Sequence, residues 1–199
     1  MGHKQSKLNS NQSSEKKNQP KVENETNNNE NHNDTTNKQI SYPVVGTESI
    51  MKKKKHGTSE TPVQKNLRWG CDFKTADRIC NYNRHYAEHS GYFQKKKLFL
   101  KDAEKCKKAN KTMLFYDSNT GKPLYEAPKG RGWDEFLRES RAHGWPSFRD
   151  PEVIWDDVRC LKNGEAVSMA GTHLGHNLPD GKGNRYCINL VSIAGRPIQ

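Results

Sequence analysis

Apolar residues make up only 31% of this 199-residue chain, well short of the near-half usual in packed domains. The shortfall is uneven. No Phe, Trp or Tyr occurs before Tyr42, and residues 1–66 are dominated by Asn, Lys, Glu, Ser and Thr. Such a segment cannot bury enough apolar surface to offset the entropy of ordering it, so residues 1–66 are expected to form a disordered Asn/Lys-rich tail. Residues 67–199 are then left as one domain of ordinary size. Also missing are an apolar run long enough to cross a bilayer and the apolar h-region of a signal peptide. The five cysteines, Cys71, Cys80, Cys106, Cys160 and Cys187, contain no CxxC pair and suggest no disulfide framework. The expected setting is therefore reducing, intracellular and cytoplasmic.

Charge is present mainly in one sign. The net charge is +11, with about +4 in residues 1–66 and +7 in the remainder. The lysines are not interleaved with aromatics as in single-strand binders, so no specific nucleic acid is expected as a partner. They do suit an anionic membrane surface. The chain begins MGHKQSK, in which Gly2 followed by Ser6 fits an N-myristoylation pattern. Lys4, Lys7, Lys16, Lys17 and Lys52–Lys55 could add the second signal that one acyl chain requires. The alternative is a low-complexity extension that happens to begin Met-Gly.

From residue 67 the pattern changes. Residues 67–93 hold Trp69, Phe73, Tyr82, Tyr86, Tyr92 and Phe93. The order Cys71, Cys80, His85, His89 is not a usual zinc spacing, so packed cysteines and surface histidines are expected. No role is assigned to residues 67–111. Lys97–Lys111 predicts a helix burying Leu98, Leu100, Ala103 and Cys106, and Trp133–Ala142 a second helix on Trp133, Phe136 and Leu137. Strands are predicted over Thr112–Tyr116, Glu152–Arg159, Glu165–Met169 and Arg185–Ile193. The fold class is mainly β with short helices (α+β).

The densest chemistry lies in Gly171–Asn189, GTHLGHNLPDGKGNRYCIN. His173 and His176 stand beside a turn-rich segment leading into a β-like run. A period of two there places Arg185, Cys187 and Asn189 on one face, with Tyr186, Ile188 and Leu190 on the other. A neighbouring guanidinium favours the thiolate, the nucleophilic form of cysteine, and a turn could bring an imidazole to it as proton donor.

These residues, with Gly144–Phe148 (GWPSF), resemble the methionine sulfoxide reductase B family (SelR-like domain). HLGH at His173–His176, GWPSF and RYCIN at Arg185–Asn189 occur in the family's order, over roughly Phe115 to Gly195. The resemblance implies two antiparallel sheets with a barrel-like core, and thiol-dependent reduction of peptide methionine (R)-S-oxide to methionine through a sulfenic acid on Cys187. It implies His173 and His176 as proton donors, Asn189 in the site, and Trp145 as the wall that receives the sulfoxide methyl group. Phe148 and Arg185 are further substrate-binding candidates, with scaffold as their alternative. The implied partners are oxidised proteins or peptides, and thioredoxin or a small thiol as reductant.

Two departures qualify the resemblance. The family's structural zinc uses two CxxC pairs, whose positions here are Asp117, Thr120, Val167 and Ala170, so zinc is not expected. The resolving cysteine of some members is replaced by His143, which leaves Cys160, Cys71, Cys80 and Cys106 as candidate resolving thiols, with a buried strand residue as the alternative for Cys160. Two other classes stay open, a non-catalytic β-scaffold binding module and a Cys-His enzyme of acyl transfer.

Overall fold

In a computed structural model of the chain, the described residues are 41–198. The acylation candidate Gly2 and the lysines before residue 41 lie outside them. The expected tail is corrected at its far end, because residues 41–66 are part of the domain. Gly46 N–H donates to the Cys160 carbonyl at 2.8 Å, and Cys160 N–H to that of Val44 at 2.9 Å. Met51 and Val63 are buried. Average composition hides such a segment, because its widely spaced apolar residues dock on a core built by other residues.

Among the described residues, seven strands and three α-helices make up the regular structure: α1 (Phe73–Asp77), α2 (Lys97–Lys108), β1 (Met113–Tyr116), β2 (Pro123–Ala127), α3 (Trp133–His143), β3 (Ser147–Phe148), β4 (Val158–Cys160), β5 (Glu165–Ser168), β6 (His173–Asn177) and β7 (Tyr186–Ile188). β1 and β2 form an antiparallel pair, and the other strands form an antiparallel sheet in the order β3-β7-β6-β5-β4. Among the described residues the sheets do not close into a barrel. The outer edge of β4 is instead occupied by the Val44–Gly46 stretch, which covers backbone groups that would otherwise be open.

The core is aromatic. Phe148 stacks on Tyr125 with ring centroids 4.3 Å apart and meets Phe115 edge-on at 5.1 Å. Residues 67–111 join it directly: Trp69 and Phe99 lie 5.8 and 6.3 Å from Phe115. That segment is therefore integral to the domain. Its helix differs from expectation in one respect. Phe99 and Ala103, an i, i+4 pair, are buried, whereas Leu98 is 57% exposed.

Two predicted strands are shorter than expected. Over Glu152–Arg159, Asp150–Glu152 forms a 3-10 turn, and the Glu152 carboxylate accepts the Arg149 N–H at 2.8 Å, so ladder pairing starts only at Val158. Over Arg185–Ile193, pairing stops at Ile188. The N–H groups of Leu190 and Val191 turn toward the carboxylate of Glu88, at 2.8 and 3.0 Å, and the chain continues as a 3-10 turn.

Candidate active site

The two histidines sit on a strand, which the turn-rich segment around Asp180–Gly183 connects to the strand of the cysteine. β6 carries His173 and His176 and pairs antiparallel with β7, in a register that sets His176 directly opposite Cys187. Directly opposed residues share a face and stand about 5 Å apart at Cβ. This pairing needs a glycine at Gly175, where an added Cβ would come within 2.0 Å of the Cys187 carbonyl oxygen. On its other side β7 meets β3, where Ser147 opposes Cys187 with its hydroxyl 3.8 Å from the sulfur. Strand alternation within GWPSF could have revealed Ser147: next to a core Phe148, it must face the opposite way.

A cavity of about 160 Å³ opens at this point, lined by Cys187, His173, His176, Trp145 and Asn189. Gly175 and Leu178 also line it, and a further wall comes from His85, Tyr86 and Ala87. The sequence pointed to none of those three as a site residue, His85 being expected as a surface histidine, and only the fold brings them to the thiol.

The electrostatics follow from a few buried contacts. Glu165 accepts from His173 Nδ1 at 2.7 Å and from the Arg84 guanidinium at 2.5–3.1 Å. Burial opposes charge on Glu165, but the hydrogen bonds from His173 and Arg84 outweigh it and hold its carboxyl below the usual range. The imidazole rings of His173 and His176 lie 5.6 Å apart. Burial, then the nearby His173 and His85, push His176 below its ordinary value against the pull of Glu165. Arg185 does not line the cavity. Its guanidinium donates to the Cys187 sulfur, the atom that bears negative charge in an attacking thiolate, and is itself held by Asp180 at 3.3 Å.

The other sequence candidates separate. Trp145 lines the cavity and donates its indole N–H to the Glu88 carbonyl at 3.0 Å. Asn189 lines it too, but its amide bonds to backbone at both ends, accepting from Glu88 N–H and donating to Leu174 O, each at 3.0 Å. Phe148 is corrected from a substrate-binding to a core residue: it has no exposed surface and packs among Tyr125, Phe115 and Phe136. Cys160 is not brought near Cys187. It is buried on β4, which two intervening strands separate from β7, and three strand spacings put them about 14 Å apart. A disulfide requires Cα atoms within about 7 Å. Burial, with a smaller contribution from Asp150, pushes the Cys160 thiol up to about 12.

The four positions that correspond to zinc ligands do not fit a metal. The buried Asp117 carboxylate accepts from the Thr172 hydroxyl at 2.9 and 3.0 Å and from the Asn119 N–H at 2.8 Å. Val167 packs with Met51 and Leu161. These contacts tie the turn after β1 to the β5–β6 connection without any thiolate. Among the described residues no group of three or more His, Cys, Asp or Glu is arranged to hold a metal.

Glu88, like the cavity wall beside it, carried no signal in the sequence. Its buried carboxyl takes the two N–H groups beyond β7, and its own backbone is bonded by Trp145 and Asn189. Burial pushes it up to about 8, against those two N–H donors. The folded state then holds this proton more tightly than the unfolded chain does. The resulting stabilisation is full below about pH 4.5 and lost as pH rises through 8, on the order of a few kcal/mol. Urea unfolding of the native protein and Glu88→Gln across pH 5–8.5 should show the native advantage shrinking as pH rises; a constant difference would disprove the linkage.

No family model matches the chain. Part of it is 46% identical over 61 residues to the peptide methionine sulfoxide reductase MsrB of Methanosarcina mazei, covering 25% of this chain and 43% of that protein. A protein of the same name from Methanosarcina barkeri is 44% identical over 62 residues, covering 25% and 42%. The chain thus matches less than half the length of these curated relatives.

Proposed function

We propose that the domain reduces methionine (R)-S-oxide in peptides to methionine, with Cys187 as nucleophile. The observation that carries this is the opposition of His176 and Cys187 across β6 and β7, in a cavity that also holds Trp145. The thiolate attacks the sulfoxide sulfur, and His173 or His176 gives a proton to the departing oxygen. Methionine leaves, and Cys187 becomes a sulfenic acid. Two equivalents of an external thiol, or one dithiol such as thioredoxin, then restore Cys187 and release water and a disulfide. No zinc or other bound cofactor takes part, a proposal supported by the residues at Asp117 and Val167.

Trp145 receives the sulfoxide methyl group and so distinguishes the epimers. The cavity lining includes no Asp, Glu, Lys or Arg. A free amino acid would bring an ammonium and a carboxylate without ionic partners there, so a peptide-bound sulfoxide fits better. The proposed setting remains a reducing intracellular one, with membrane contact through an acylated Gly2 as a second proposal.

The test is turnover of separate R and S epimers of a blocked peptide sulfoxide with dithiothreitol. R-only turnover is expected. Equal turnover of both epimers would remove Trp145 from its role, and turnover of neither would leave a non-catalytic scaffold as the better account.

A further inference from the structure

The stretch between Arg84 and Glu88 lies outside the HLGH, GWPSF and RYCIN motifs, yet it is held at both ends beside the cavity. At one end Arg84 is bound to Glu165 and Glu48, and the Asn83 side chain accepts the His85 N–H at 3.2 Å. At the other, Glu88 is anchored by the backbone beyond β7, and the Gly91 N–H donates to the Gly144 carbonyl at 2.8 Å. With both ends fixed, the three side chains between them are presented to the cavity in a set position.

Tyr86 is the largest of the three. Its ring is steadied by the Arg78 guanidinium, 4.4 Å from the ring centroid, and its hydroxyl makes no hydrogen bond among the described residues. It is 43% exposed, and Leu178, which also lines the cavity, is 49% exposed. Leu178 is likewise held through its backbone, its N–H donating to the Arg185 carbonyl at 2.7 Å. Two large side chains thus stand partly in water on the lining of one cavity that has no Asp, Glu, Lys or Arg in it, each with its backbone hydrogen-bonded nearby. Apolar surface kept exposed and rigid around a cleft is what contact with an apolar ligand group requires.

We infer that Tyr86, with Leu178, determines specificity by contacting an apolar residue next to the methionine sulfoxide in the substrate chain. This rests on the reductase function proposed above and extends it to sequence context. Tyr86 touches the flanking residue, while Cys187 and the histidines act on the sulfoxide itself.

The experiment uses the full chain and two blocked peptides of equal length, with methionine (R)-sulfoxide flanked by leucine in one and by glycine in the other. The native protein should prefer the leucine-flanked peptide in kcat/KM by roughly tenfold, the size expected of one apolar contact removed from water. Tyr86→Ala should bring that ratio close to one, and Tyr86→Phe should keep it, because the hydroxyl has no partner. Equal native use of both peptides, or a preference that survives Tyr86→Ala, overturns the inference while leaving the reductase in place. Native turnover of neither peptide overturns the reductase and this inference together.

Discussion

Replacing Cys187 with serine is expected to abolish reduction of the R-sulfoxide, by at least about a thousandfold, while leaving the fold intact. The hydroxyl is close in size to the thiol, and the position is only partly buried, so packing is little changed. What is lost is chemical. A serine oxygen is a weak nucleophile at neutral pH and cannot be left as a sulfenic acid, so the sulfoxide oxygen has nowhere to go. Circular dichroism should match that of the native protein, and the epimer assay should read only background. A serine variant within tenfold of native would mean that another thiol performs the reaction.

Cys160 provides the contrast. Because it is buried on β4 and well beyond disulfide reach of Cys187, Cys160→Ala should keep turnover with dithiothreitol within about twofold. Loss of recycling in that variant would show that β4 moves during the reaction.

The second large effect is on stability. Phe148→Ala is expected to cost about 3–5 kcal/mol in urea unfolding, because it empties a site enclosed by Tyr125, Phe115 and Phe136. Phe148→Leu should cost clearly less, with KM for the peptide sulfoxide close to native. If Phe148→Leu instead raised KM while stability held, Phe148 would belong to the substrate site after all. The comparison tests where a neighbour of Trp145 belongs, since adjacent residues of one short motif serve the cavity and the core.

That division shows what the chain reveals in one dimension. Thr112–Tyr116 and Trp133–Ala142 were legible because their apolar spacing matches the local period and nothing nearby competes with it. The extent of the strand after Arg185 was not, because Glu88, about a hundred residues away, takes the backbone N–H groups that would have continued the ladder. The order within residues 41–66 was hidden for a related reason: a segment can be polar on average and still be held by two hydrogen bonds to β4 and by a buried Met51.

By itself, then, the sequence determined which groups are the candidates for the proposed chemistry: a cysteine with arginine and asparagine two residues to either side, two histidines three apart, a tryptophan before a proline, and no thiols at the four positions of the family's zinc ligands. Side-chain identity and short-range alternation are local properties and can be read directly. Only the tertiary structure decided that His176 opposes Cys187, that Cys160 stands too far away, and that residues 85–87 complete the cavity. Those are matters of strand register and of long-range anchors such as Arg84 and Glu88, whose partners are separated from them by most of the domain.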